Sequence, residues 1–194
     1  MDIFNDDSDY RFFLHRLKEN LFPEQRTAPL QEGRPLTGHR YIRKTLPGGS
    51  FSLISYCLMP NHFHFLIRQN SSLPVSKLFA KVCTGYSMYF NRKYDRVGAL
   101  VQSKFKAVLV DSDAYLTWLS AYIHNNPKTA GLIEKLENWQ WSSYLDYMSF
   151  RQGKLCEKDV VLSQFKNFFE YGKFVEESLE KIQKKKSLEH LLLD

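Results

Sequence analysis

Two histidines one residue apart, His62 and His64, sit in the run CLMPNHFHFLIRQ, which otherwise reads as an apolar strand. Strand side chains alternate with a period of two, so the imidazoles share one face while Phe63, Phe65 and Ile67 take the other. Neutral imidazoles are common ligands for divalent ions, and a His-x-His pair on a strand holds two donors at one rigid position. Two donors leave a metal site incomplete, so a carboxylate or amide oxygen has to come from another element, with water or substrate oxygen filling the rest. The competing reading is a pair of polar-face histidines hydrogen-bonded to their neighbours. A second candidate pair is Tyr122 and Asn126, which at i, i+4 place a phenol and an amide on one helix face. Beside a bound metal and a phosphodiester, such a tyrosine could act as nucleophile. Spacing alone does not single out Tyr122 among eleven tyrosines. The series Tyr115, Trp118, Tyr122 reads equally well as an aromatic core stripe.

The elements that must position these groups follow from periodicity. Asn5 and the following aspartates can cap a helix with Tyr10, Phe13, Leu14, Leu17 and Leu21 on one face, ended by Pro23. Residues 23–50 read as a long surface loop with a possible short strand at RYIRK. SFSLISYCLM and HFHFLIR flank Pro60-Asn61 as a hairpin, with the histidines on its second arm. Val75, Leu78, Phe79, Val82, Tyr86 and Phe90 form the stripe of a second helix opening at Pro74, with Lys77, Lys81 and Thr84 on its other face. ALVQSKFKAVLV reads as a strand presenting Gln102, Lys104 and Lys106 on one face. Asp111, Ser112 or Asp113 can cap a third helix running until Pro127 stops it. This order predicts an α+β domain over residues 1–142, an antiparallel sheet of split βαβ, ferredoxin-like type with helices on one side. Residues 143–194 read as a helical extension packing on it.

The net charge of +6 is unevenly distributed. Between Gly33 and Val110 there are twelve Lys or Arg residues and one acid, Asp95, whereas the rest of the chain is net acidic. Segregation of this kind is the pattern of a polyanion-binding face, because phosphate contacts supply much of the affinity for nucleic acid. Lys77, Lys81, Arg92, Lys104 and Lys106 are the candidates for backbone contacts. Cys57, Cys83 and Cys156 are far apart and lack CxxC spacing, so neither a disulfide framework nor a zinc knuckle is indicated. No run approaches the roughly 20 apolar residues of a membrane helix and the start MDIFNDDSDY is unlike a signal peptide, which makes the cytoplasm the expected location. A histidine-triad hydrolase would need a third alternating histidine at position 66, where the chain has Leu66.

YCLMPNHFHFLI, then KFKAVLVDSDAYLTWLSAYIHNNPKTAGL, then WQWSSY resemble the HUH-type single-strand tyrosine transposases, in particular the REP-associated tyrosine transposases and their insertion-sequence relatives. The likeness extends over roughly residues 50–145, and DIFNDDSDYRFFL is similar to the family's first helix. The resemblance implies Mg²⁺ or Mn²⁺ held by His62 and His64 with Asn126 as third protein ligand, and Tyr122 as nucleophile. It also implies single-stranded DNA with imperfect hairpins as substrate, a 5′-phosphotyrosine intermediate and strand rejoining without ATP, in a monomer or homodimer associated with the bacterial nucleoid. Family members begin with a strand ahead of the first helix, beside the histidine strand; Met1 stands almost at that helix, so this strand is expected to be missing. A missing strand leaves backbone groups beside the metal site unpaired, which makes an inactive or domesticated DNA-binding protein the alternative to an enzyme.

Overall fold

The computed structural model describes residues 1–25, 46–101 and 105–191. In chain order the elements are α1 (Asp7–Leu21), β1 (Phe51–Met59), β2 (His62–Gln69), α2 (Val75–Lys93), α3 (Asp113–Thr129), α4 (Tyr144–Tyr147), α5 (Asp159–Leu162) and α6 (Phe168–Leu191). The α+β class and the antiparallel pairing agree with the patterning. The hairpin turns through Pro60 and Asn61, with Met59 opposite His62 and Cys57 opposite His64.

β1 is buried at every position, because FSLISYCLM lacks the polar alternation of a half-solvated strand. Phe51, Leu53, Tyr56 and Leu58, joined by Phe63 and Phe65 of β2, pack with Tyr10, Phe13 and Leu17 of α1 and with Leu78, Val82, Tyr86 and Phe90 of α2. A register irregularity between Leu53 and Ser55 shifts the alternation by one, so that Tyr56 and Leu58 share the face of Phe51 and Leu53 while Ile54, Cys57 and Met59 take the opposite face. There Ile54, Cys57, Met59 and Leu66 pack with Ala121 and Ile123 of α3, Tyr147 of α4, and Tyr171 and Val175 of α6. The expectation of helices on one side thus describes α1 and α2, and α3 and α6 add a cover on the other face.

The helix starts are set by short polar side chains. Asp6 accepts from the backbone of Ser8 and Asp9, and the Asp9 carboxylate accepts from the Asp6 backbone in return, a capping box for α1. Lys93, at the end of α2, binds Asp6 and Asp9 at 2.7 Å each and so ties the start of α1 to the end of α2. This pairing holds the Asp6 carboxyl well below the usual carboxylate range, the Lys93 hydrogen bond being the main cause. Ser112 caps α3 through the Tyr115 amide.

The outer edge of β1 is covered by sequence far downstream. Leu58 N–H donates to the Trp141 carbonyl (2.9 Å), Ser143 N–H to the Tyr56 carbonyl (3.0 Å) and Glu157 N–H to the Leu53 carbonyl (2.8 Å). The Tyr56 amide donates to Ser143 Oγ, and the Tyr147 hydroxyl to the Ile54 carbonyl. Backbone groups that would otherwise template pairing with another chain are therefore satisfied.

Two readings of the sequence need correction. The expected strand ALVQSKFKAVLV does not form in its described parts, residues 99–101 and 105–110, while Gln102 and Lys104 lie outside the described residues. Alternation marks a strand only where a ladder partner exists. Here Phe105 packs its ring on Phe79 of α2 at 4.9 Å while Val108 and Leu109 face solvent, so the segment runs extended over the surface. Among the described residues the sheet has two strands, and β2 has β1 as its one neighbour. Secondly, Pro127 does not stop α3, which runs on to Thr129. A proline in the last turn forfeits a single backbone bond, and its fixed φ suits the helix. The Ala130 amide then closes the end on the Asn126 carbonyl. The possible strand at RYIRK lies outside the described residues.

Candidate active site

β2 delivers the two histidines as its period dictates. Phe63 and Phe65 turn toward α1 and α2, and His62 and His64 face the other way with their Nε2 atoms 3.1 Å apart. His62 Nδ1–H donates to the Asn61 side-chain oxygen at 2.6 Å. That bond selects the tautomer whose Nε2 carries the lone pair, the arrangement by which outer partners orient metal-binding imidazoles.

α3 crosses this face and brings Tyr122 to the pair. The Tyr122 and His64 rings meet edge to face with centroids 5.9 Å apart. Asn126 follows one turn later, almost fully buried, its Nδ2 donating to the Tyr122 carbonyl at 2.9 Å. Donation through Nδ2 leaves Oδ1 as the ligand-capable atom of that amide. Among the described residues no group of three or more His, Cys, Asp or Glu side chains comes together. The donor set that the structure brings together is a pair of converging imidazole nitrogens, with Asn126 one turn beyond Tyr122 on the helix that meets them. It fits a divalent ion that keeps further positions for water or phosphate oxygen, and imidazole donors favour Mn²⁺ over Mg²⁺.

Tyr122 is also the last ring of a series. Trp118 lies nearly parallel to it (centroids 5.5 Å, 23°), and Tyr115 nearly parallel to Trp118 (6.1 Å, 14°). The buried side of α3 is formed by Ser120, Ala121, Ile123, His124 and Asn125, and Tyr122 of the aromatic series packs against the same core cluster.

Behind Tyr122, a buried polar network fixes α3, and no spacing or motif marks it in the sequence. His124 is fully buried, with Nδ1 2.7 Å from the Tyr171 hydroxyl and Nε2 2.7 Å from Ser143 Oγ. Ser143 Oγ donates to the Tyr56 carbonyl, so it receives the His124 Nε2–H, and the Tyr171 hydroxyl donates to Nδ1. Asn125 donates to the Val175 carbonyl on α6. Helix α3 is thus pinned to β1 and α6 in the turn that follows the residue facing the histidines. Burial lowers the His124 pKa from 6.5 to about 3. A ring that is neutral when folded and protonates when unfolded contributes stability that is complete above pH 6.5 and is lost as pH falls toward about 3. Wild-type protein is expected to lose up to about 1.4 kcal/mol per pH unit through this one group as pH falls below 6.5. Urea midpoints at pH 7 and pH 5 should therefore differ more in the wild type than in His124→Gln.

The basic candidates are dispersed. Lys77 and Arg92 are exposed and Lys81 half-buried on the outer side of α2, which packs Phe79 against Phe63 and Phe65 and so covers the sheet face opposite the histidines. Lys106 is exposed on the extended segment before α3, and Lys104 lies outside the described residues. Arg68, on the histidine face of β2, is held by Glu157.

A family model described as transposase IS200 like matches residues 21–126, more than half of the chain and including both histidines, Tyr122 and Asn126. The chain belongs to this transposase family. A putative REP-associated tyrosine transposase of Haemophilus influenzae (strain ATCC 51907 / DSM 11121 / KW20 / Rd) is 26% identical over 106 residues, covering 48% of this chain and 59% of the relative. The match thus spans less than two thirds of that transposase's length. No solved structure matches. Among the described residues no helix of this family member is long and apolar enough to cross a membrane.

Proposed function

We propose that this chain cuts and rejoins single-stranded DNA at hairpin-bearing sites through a transient bond to Tyr122, acting in the cytoplasm at the nucleoid. The observation that carries the reading is the meeting of Tyr122 with His64, whose Nε2 converges with that of His62. His62, His64 and Asn126 Oδ1 would hold Mn²⁺ or Mg²⁺, which when bound polarises a phosphate oxygen and offsets charge developing on it. Tyr122 Oη attacks the phosphorus in line, the Oη–P bond forms, the P–O3′ bond breaks, and the departing O3′ takes a proton. The 5′-phosphotyrosine keeps the energy of the phosphodiester, and attack by a 3′-hydroxyl reverses the step and frees the phenol. Asn61 holds His62 in its ligating tautomer. The buried His124 network keeps α3 from drifting, and a misplacement of about 1 Å can cost about a hundredfold in rate.

The decisive experiment mixes purified protein with labelled single-stranded DNA carrying hairpins from around its own gene, in Mn²⁺ or in EDTA. A denaturant-resistant adduct that forms in Mn²⁺ and not in EDTA supports the reading. Binding without an adduct would favour the inactive DNA-binding alternative. Exposed Lys106, Lys77 and Arg92, with Lys81, supply backbone contacts, so DNA affinity is expected to fall steeply with salt. Several phosphate contacts predict roughly a thousandfold loss between about 50 and 200 mM salt, and a flat titration would remove these residues from the interface.

A further inference from the structure

We infer that Ser143 is a positioning residue for the strand cut, joining the histidine hairpin to α3 and so setting where Tyr122 stands against the histidines. The inference rests on the role given to Tyr122 above. Histidines and nucleophile belong to separate elements, β2 and α3, and the segment 139–143 reaches both from the outer edge of β1. Trp139 Nε1 donates to the Leu58 carbonyl at 3.0 Å, and the Leu58 amide donates to the Trp141 carbonyl at 2.9 Å. Tyr56 is gripped by Ser143 alone. Its amide donates to Ser143 Oγ at 2.9 Å, and its carbonyl accepts from the Ser143 amide at 3.0 Å and from the Ser143 hydroxyl at 3.2 Å. Tyr56 and Leu58 flank Cys57, the residue paired with His64. The segment therefore holds β1 directly behind the strand position that carries His64.

Ser143 Oγ makes one bond more. It accepts Nε2–H of His124 at 2.7 Å, and His124 stands two residues after Tyr122 on α3. Ser143 and His124 are both 0% exposed, so neither can exchange its partner for solvent. One hydroxyl thus uses its full capacity, two bonds accepted and one donated, and these run to the backbone beside the partner of His64 and to the helix of the nucleophile. Apolar packing between sheet and helix is non-directional and tolerates sliding, whereas a bond with a fixed donor and acceptor selects one register. Removing Oγ leaves the Tyr56 and His124 N–H groups without this acceptor. The two Leu58 bonds and the Ser143 amide would still hold the hairpin. The site is then expected to lose its alignment before the hairpin loses its place.

The test reads the Tyr122–His64 ring contact itself, as the NMR cross-peak between their ring protons, beside the rate of adduct formation in Mn²⁺. It compares wild type, Ser143→Ala, His124→Phe and the double variant; phenylalanine keeps a ring among Tyr144, Tyr147 and Tyr171. Ser143→Ala is expected to weaken the cross-peak and to slow adduct formation about a hundredfold, the cost of a displacement of about 1 Å, with single-strand affinity unchanged. His124→Phe should do the same. The double variant should be no worse than the more affected single one, because both changes break one link. An unchanged cross-peak in Ser143→Ala overturns the inference. Losses that multiply in the double variant also overturn it, since Ser143 would then act independently of His124. If Ser143→Ala does not fold, His124→Gln takes its place, because the Gln side-chain amide can still donate to Ser143 Oγ. His124→Gln should keep the cross-peak that His124→Phe loses, and equal contact in the two overturns the joint. A wild-type protein that forms no adduct overturns the DNA-cutting reading alone, and the cross-peaks still decide the place of Ser143.

Discussion

Tyr122→Phe is expected to leave no detectable covalent DNA adduct while binding the same single strands with nearly unchanged affinity. Removing Oη removes the atom that would bond to phosphorus, and of the other hydroxyls on α3's nearby turns Ser120 faces the core and Tyr115 lies two rings away. The ring itself remains, so its packing on Trp118 and its edge contact with His64 survive, and α3 keeps its buried anchors at His124 and Asn125. Each hydrogen bond of the phenol that is lost costs about 1 kcal/mol. Denaturing electrophoresis of labelled DNA separates adduct from binding. If an adduct persisted, the nucleophile would have to be sought elsewhere. If binding collapsed with the adduct, the phenol would be a structural or DNA-contacting group.

Replacing both His62 and His64 by alanine is expected to remove metal-stimulated cleavage altogether. The two Nε2 atoms are the convergent nitrogens of the site, and no cluster of three or more His, Cys, Asp or Glu side chains exists among the described residues to substitute for them. An ion that polarises phosphate contributes several kcal/mol to the transition state, so its loss slows the cut by about three orders of magnitude. The fold should tolerate the change, since His62 is exposed and His64 half-buried, and the neighbouring Phe63 and Phe65 pack on the other face. Cleavage in Mn²⁺ by the double variant at the wild-type rate would rule the metal site out. Thermal melts of the variant beside the wild type distinguish a lost site from a lost fold.

The histidine pair was legible because a strand's period assigns faces without reference to anything else. The same holds for Tyr122 and Asn126 on their helix. What periodicity could not supply was the meeting of the two elements, since nothing in a helix's spacing says which sheet face it will cover. That expectation came from the family likeness. Asn61 was read as a turn residue only, and its hold on His62 depends on a side-chain direction that a turn signal does not specify. His124 escaped notice because its partners Ser143 and Tyr171 are distant in sequence and of ordinary type. The strand read over residues 99–110 shows the opposite error: apolar alternation was present, but a ladder partner for its described parts was not. Pro127 ends a helix only from its interior, and here it stands in the last turn of α3.

The cover on the outer edge of β1 has a consequence during synthesis. The hairpin is complete once Gln69 has left the ribosome, but Trp141, Ser143 and Glu157, which seal its edge, are made about 70 to 90 residues later. At roughly 5–20 residues per second the nascent hairpin waits several seconds with that edge bare. During this interval two nascent chains on one message can pair through it, and a chaperone that shields extended segments would prevent this. How much chain reaches its native form is then set by translation speed across residues 70–157 as well as by the stability of the finished fold.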